Sequence, residues 1–450
     1  QGLKGRNAVP PLHVRLADLT MAMDGVVVPL SAGTAACVAA LAMNGQELLR
    51  LPLPSVGAIC FLVLAVAYLL WLRSAEVSAF QPTGYPATDT TSQLSRRNPR
   101  DRYPPYDMSN ELASFKAVGD SLVKEALGHL RDVVVMPDED EKHVRSMLEY
   151  NVKGGSMNRG LMVVTSGLKV FEAQGRVANN DALTKLAVLG WCVEWLQAWL
   201  LVADDIMDSS EVRRGQACWY KTKGVGPTAI NDAFMLEMLV FQTLKRHFWQ
   251  EPFYHQLVDL FLETTFQSEC GKLLDLRCTS VPLEHFTEDR WNTMVKYKTA
   301  FYSFYCPVAL GMIVAGITDK KAYDAAREPL LKMGIYFQAQ AVFGTGRKIC
   351  NAISDIQDKR YGWLLIQAFR NTDEHGKQVL KDHYETRTLG SAQEGAIKKL
   401  YENLGLRQLC EDYGKQSFDE IMELKSDVEK AKLPWSMFEV FLLKVYRRKE

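Results

Sequence analysis

An all-α domain is what this sequence predicts, and three observations carry the prediction. From Tyr106 onward, apolar residues recur at three- and four-residue spacing, as in Leu186–Val202 and Phe234–Leu244. Stretches that alternate with period two are few, and Gly-Pro punctuation is sparse. Residues 106–450 are also numerous enough to bury a substantial core between long helices. Neither an internal repeat nor a low-complexity tract interrupts the pattern.

Residues 1–105 belong to a different regime, rich in Ala, Val, Leu, Pro and Gly and poor in helical periodicity. Leu51–Leu72 holds 22 residues without a charge, enough as a helix to cross a hydrocarbon core of about 30 Å. Arg50 and Arg73 bracket it, with Tyr68 and Trp71 toward one end as interfacial aromatics. The expectation is a membrane segment with the helical domain facing the cytosol, the alternative being a mitochondrial leader. A cleaved secretory signal fits less well, because the apolar run starts so far into the chain. The stretch Gly25–Gln46 is a weaker uncharged segment. Residues 80–105, with Pro, Thr, Ser and the cluster Arg96, Arg97, Arg100 and Arg102, read as an exposed basic linker.

With 53 basic and 53 acidic residues, net charge gives no argument for nucleic acid as a partner. The nine cysteines show neither a C-x-x-C pair nor metal-ligand spacing, so they read as reduced core residues. The histidines are few and unclustered, which disfavours a zinc site.

Chemistry concentrates at residues 201–220, LVADDIMDSSEVRRGQACWY. Asp204 and Asp208 are four apart, so on a helix their carboxylates share a face one turn apart. The apolar run Trp195–Ala203 should bury that helix and leave the carboxylates at the mouth of a cavity. Hard oxygen ligands in this arrangement suit Mg²⁺, which binds through one or two carboxylates, waters and substrate phosphates; Mn²⁺ is the alternative. Arg213 and Arg214 follow closely, and guanidinium groups grip phosphate oxygens in bidentate fashion.

With this motif, residues 106–450 resemble farnesyl diphosphate synthases along nearly their whole length. VKYKTAFYSFYCPVAL (295–310), SDIQDKRYGWLLIQ (354–367) and the terminal YRRK match further blocks of that family. The resemblance implies a prenyl-synthase helical bundle around a central cavity, a homodimer, prenyl diphosphate substrates and three Mg²⁺ ions. It implies that Asp275 joins Asp204 and Asp208 as a metal ligand. It also places Lys298 and Thr299 against the allylic diphosphate and nascent cation, and Gln338 near the reacting carbons. Arg159, Gln197, Arg213, Arg214 and Lys348 complete the diphosphate-binding set.

Two departures stand out. Where the family carries a second aspartate-rich motif, this chain reads KMGIYFQAQAVFGTGRKICNAISDIQD (332–358), with no carboxylate between Gln340 and Ser354. Asn351, Ser354 and Asp358 are spaced three then four, which does not match the metal triad of terpene cyclases. The family's isopentenyl-diphosphate motif GGKxxRG is here Gly154-Gly155-Ser156-Met157-Asn158-Arg159-Gly160. Ser156 replaces a lysine, removing a charge-assisted contact worth roughly 1.5–3 kcal/mol; Lys153 is the nearest compensating cation. Lys272, where the family usually has Gln, adds a cation near Asp275 that can stand in for part of the missing metal charge. Trp199 and Leu200, where the family often has a Phe pair, leave product length open.

Three readings follow. The preferred one is a terpene synthase derived from this scaffold, which ionises geranyl or farnesyl diphosphate without condensing it. The alternative is a farnesyl diphosphate synthase that condenses isopentenyl diphosphate with an allylic partner. The third is a non-catalytic paralogue.

Overall fold

The computed structural model describes residues 20–23, 26–29, 100, 103–278, 280–285, 287–341, 362–385 and 391–446. The expected membrane segment 51–72, Lys348, Asn351, Ser354, Asp358 and the final basic residues lie outside them. The chain divides into Gln1–Leu94 and Ser95–Glu450. In the first unit, β1 (Thr20–Met23) and β2 (Val26–Pro29) pair antiparallel, Met23 opposite Val26. β2 falls inside the weaker uncharged stretch noted above.

The second unit is helical. Its helices are α1 (Glu111–Asp132), α2 (Asp138–Val152), α3 (Asn158–Ala173), α4 (Asn180–Met207), α5 (Thr228–Phe248) and α6 (Tyr254–Cys278). After them come α7 (Glu288–Val295), a π-helical segment (Lys296–Tyr305), α8 (Cys306–Val314) and α9 (Lys320–Ala341). The C-terminal part holds α10 (Trp363–Asn371), α11 (Glu374–Glu385), α12 (Ser391–Asn403), α13 (Leu406–Glu423), α14 (Lys425–Lys430) and α15 (Ser436–Tyr446). Between α4 and α5, β3 (Val212–Arg213) and β4 (Gln216–Ala217) form a hairpin.

α4 is apolar on every side because it is packed on every side, by α1, α2, α3, α5 and α8. Its start is fixed by the Asn179 side chain, which accepts from the Ala182 N–H at 2.9 Å. It is long and apolar enough to cross a membrane, yet 78% of the relevant window is buried within the bundle, as expected of a core helix. Gly160 on α3 faces Gly190 on α4 so closely that a Cβ on either would meet the other's carbonyl oxygen within 3 Å. That contact lets the backbones touch and brings the start of α3 beside the middle of α4.

α7, the π segment and α8 run without a break from Glu288 to Val314. Pro307 has no N–H to give, and its ring clashes with the carbonyl four residues back, so an ordinary α ladder cannot pass through 303–307. The wider π turns before it are the arrangement found. This segment lies between α6 and α9. A Cβ on Gly271 of α6 would collide with the Lys298 backbone, so glycine is what allows α6 to lie directly against the segment.

The linker expectation fails at Arg100. This side chain is buried rather than exposed and is held by Asp181 at 3.1 Å, Glu251 at 2.8 Å and the carbonyl of His247. Tyr103 is buried against the His247 ring. The helical unit therefore begins before residue 106.

Candidate active site

The carboxylate centre sits at the C-terminal end of α4. Helix dipoles make that end negative, so three aspartates there are unfavourable without nearby cations. Two lysines and an arginine supply them. Lys272 on α6 places Nζ 2.7 Å from Asp204 Oδ1, 2.6 Å from Asp208 Oδ1 and 3.5 Å from Asp275 Oδ2. Lys298, on the π segment, places Nζ 2.5 Å from Asp275 Oδ2 and 3.5 Å from Asp204 Oδ1. Burial alone would raise the Asp204 carboxyl, but Lys298 and Lys272 outweigh it and hold it at about 2. Burial likewise works against the charge on Lys298, and Asp275 and Asp204 reverse the effect, raising it above the ordinary lysine value.

One oxygen from each of Asp204, Asp208 and Asp275 lies within 4.8 Å of the other two. The donor set is all carboxylate, which suits a hard divalent cation such as Mg²⁺. The three metal ligands expected from sequence are thus brought together. Lys298 joins them, and Thr299 points its hydroxyl at Gln338, Oγ1 to Oε1 3.4 Å. Gln197 lies half-buried on α4, about two turns before Asp204.

Arg213 lies against the middle aspartate. Its guanidinium is bonded to both oxygens of Asp205, and reaches Asp204 only at 3.5 Å. The middle aspartate is therefore the anchor of Arg213 and is buried. The Cys218 thiol beside it is pushed up to about 12 by burial and then by Asp205. Arg214 and Gly215 both take positive φ, +54° and +80°, as the two turn residues of the β3–β4 hairpin. Neighbouring residues of the hairpin thus point their side chains differently, and Arg214 goes to the Gly154-Gly155 loop. It donates to the Asn151 carbonyl at 3.4 Å and lies 3.0 Å from where a Gly155 Cβ would stand.

Arg159, at the start of α3, donates to Ser303 Oγ at 2.9 Å and Tyr302 OH at 3.3 Å, with its guanidinium over the Tyr302 ring. Glu194 is buried beneath, accepting from the Gly160 N–H at 2.7 Å; burial raises its carboxyl above the ordinary value. Ser156 is exposed. Lys153 does not compensate for it, because its ammonium pairs with Asp120 at 3.4 Å and Glu149 at 3.7 Å on the outer surface. Arg214 is the cation that reaches the loop. Sequence reasoning missed Tyr302, Ser303, Glu194 and Asp205 as partners of the arginines. Tyr302 and Ser303 entered the sequence reading only within the family block 295–310.

The profile of the polyprenyl synthetase family matches residues 141–404. Farnesyl pyrophosphate synthase of Gallus gallus is 39% identical over 347 residues, covering 75% of this chain and 91% of the relative. The chain belongs to the farnesyl diphosphate synthase family. The Saccharomyces cerevisiae farnesyl pyrophosphate synthase is 40% identical over 321 residues, 70% of this chain and 91% of that one. Among solved structures, T. brucei farnesyl diphosphate synthase superimposes with a TM-score of 0.69 at 25% identity, covering 75% of this chain and 99% of the other. As a class I isoprenyl diphosphate synthase of short-chain type, this family member is an enzyme of isoprenoid biosynthesis and a prenyltransferase by relationship. The family is Mg²⁺-dependent, in keeping with its aspartate cluster. The relationship favours the condensing alternative over the terpene-synthase reading preferred from sequence.

Proposed function

We propose that this enzyme condenses isopentenyl diphosphate with an allylic diphosphate, as the names of its relatives indicate for them. The observation that carries the reading is a pair of regions joined by one helix, the carboxylate centre with its lysines and the arginine pair Arg159 and Arg214. Lys298 on the π segment faces the carboxylate centre, while Tyr302 and Ser303, one turn on, hold Arg159 at the second region. Arg159 and Arg214 supply the second diphosphate with charge in place of the lost lysine. Divalent ions at Asp204, Asp208 and Asp275 would neutralise the leaving diphosphate. Lys298 adds fixed positive charge where that diphosphate departs, and Thr299 and Gln338 present oxygens to the reacting carbons. Buried aromatic rings of the π segment keep water from the cation.

A terpene-synthase activity is the second reading, supported by Ser156 and by the outward pairing of Lys153. One assay decides between them: the full chain with Mg²⁺ and geranyl or farnesyl diphosphate, with and without isopentenyl diphosphate. Elongated diphosphates formed only with both substrates support condensation, whereas volatile products from the allylic substrate alone support the second reading.

We also propose a homodimer, because α5 exposes Ile230, Phe234 and Met238 at four-residue spacing and α6 exposes Leu262, Phe266 and Leu273. Light scattering of wild type against Phe234→Glu tests it, a monomer in the wild type overturning it. Association with a membrane through 51–72 is tested by co-sedimentation with lipid vesicles, which Val63→Asp and Ala67→Asp together should abolish.

A further inference from the structure

We infer that Lys272 is a built-in cation of the metal centre, occupying the position of one divalent ion so that the enzyme works with one fewer. The inference rests on the reading of Asp204, Asp208 and Asp275 as metal ligands. Its geometry is specific to one side chain. Nζ lies within 3.5 Å of all three carboxylates, nearer to Asp204 and Asp208 than to Asp275. The Lys272 side chain is only 9% exposed, so its charge is spent on these oxygens rather than on water.

Backbone placement makes this position hard to leave. Lys272 precedes Asp275 by three residues on α6, which puts both side chains on one helix face. Gly271 presses α6 against the backbone of Lys298, fixing the distance between the two lysine-bearing elements. A swing of Lys272 away from the centre would strand a nearly buried ammonium, which is unfavourable.

The local charges show the consequence for a metal. Three carboxylates and two ammoniums, Lys272 and Lys298, leave one net negative charge, since three minus two is one. Mg²⁺ needs oxygen ligands at about 2.0–2.1 Å, and Lys272 already holds one oxygen of Asp204 and one of Asp208. A divalent ion and this ammonium therefore compete for the same pair. The surviving role of Lys272 is electrostatic: a fixed positive charge facing the diphosphate, without a metal's hydration shell to remove.

The test counts metal directly. Full-length wild type, Lys272→Gln and Lys272→Arg are titrated with Mn²⁺ by electron paramagnetic resonance, alone and with inorganic pyrophosphate as the probe. Thermal melts are recorded on the same samples. The expected result is one more Mn²⁺ per chain in Lys272→Gln than in wild type when pyrophosphate is present. Without pyrophosphate, Mn²⁺ affinity should rise about tenfold or more, because one like charge is gone. Mn²⁺ should raise the melting temperature of Lys272→Gln more than that of wild type, and Lys272→Arg should keep the wild-type count. Equal counts and affinities in wild type and Lys272→Gln would overturn the inference. If Lys272→Gln does not fold without metal, the comparison of its Mn²⁺-rescued count with wild type serves in its place. Absence of Mn²⁺ from both proteins would overturn the metal-ligand reading itself, and this inference with it.

Discussion

On the function proposed above, the two regions that would face the substrate phosphates are built on opposite principles. At the end of α4, every carboxylate of the metal centre is already matched by a cation, and the contacts are short and partly buried. Around Gly154-Gly155, the cations dominate: Arg159 and Arg214 lie by a loop of small residues, with the buried Glu194 carboxyl between them and the core. The first region is a nearly balanced assembly that keeps one net negative charge. The second is an excess of positive charge waiting for an anion. Loss of a lysine at position 156 is therefore more tolerable in the second region than a comparable change would be in the first.

The strongest way to break this contrast is to remove an acid from the first region. Asp204→Asn should lower kcat/KM by about 10²–10³. The chain should still fold, because Lys272 keeps Asp208 and Asp275 and Lys298 keeps Asp275. Steady-state kinetics with geranyl and isopentenyl diphosphate, alongside circular dichroism, checks both parts.

In the second region the effects should fall on one substrate only. Arg159→Gln should raise KM for isopentenyl diphosphate about ten- to hundredfold, and Ser156→Lys should lower it about tenfold. Neither should move KM for the allylic substrate; a change in both would show that the regions are not independent.

A smaller effect separates structure from chemistry. Arg100→Met should destabilise the helical unit by about 2–3 kcal/mol in urea unfolding, below the usual cost of breaking a buried pair, because Lys185 still reaches Asp181 and Glu251 at 2.7 and 2.8 Å. KM for either substrate should stay unchanged.

The smallest effect is a difference in pH dependence. Asp204 lies below its ordinary value of 3.8, so its stabilising contribution is present above that value and lost as pH falls through about 2. Glu194 lies above its ordinary value of 4.5, so its contribution is greatest below that value and declines as pH rises. Glu194→Gln should therefore gain stability relative to wild type between pH 5 and pH 8, whereas Asp204→Asn should not. Urea midpoints of the three proteins at both pH values decide the matter.

Much of the first region was legible from sequence because a helix converts spacing into geometry. Asp204 and Asp208, four apart in an apolar helix, could hardly fail to share a face. Asp275 and Lys298 were reached through resemblance alone, since nothing in their local spacing says that α6 and the π segment touch; that contact depends on Gly271. Arg213 was less legible in its surroundings. Its residue type suggests phosphate binding, but the hairpin turns it back onto Asp205, and the twist of a two-residue turn is not visible in composition. Arg100 was misread for a related reason. Among prolines and other arginines it resembles a solvated charge, and only the arrival of Asp181 from α4 and Glu251 from the α5–α6 connection buries it. The π segment was equally hidden, because apolar periodicity barely distinguishes a widened helix from an ordinary one.

That segment carries a further implication. Lys298 and the Tyr302–Ser303 pair stand on the same continuous rod, so on the proposed condensation the relative bearing of the two substrates would be set by how far the rod is wound between them. Removing Ala300 or Phe301 would turn everything beyond relative to Lys298, drawing Tyr302 and Ser303 away from Arg159 and aiming one reactant past the other. On that reading the angle of encounter is written in the winding of a single helix.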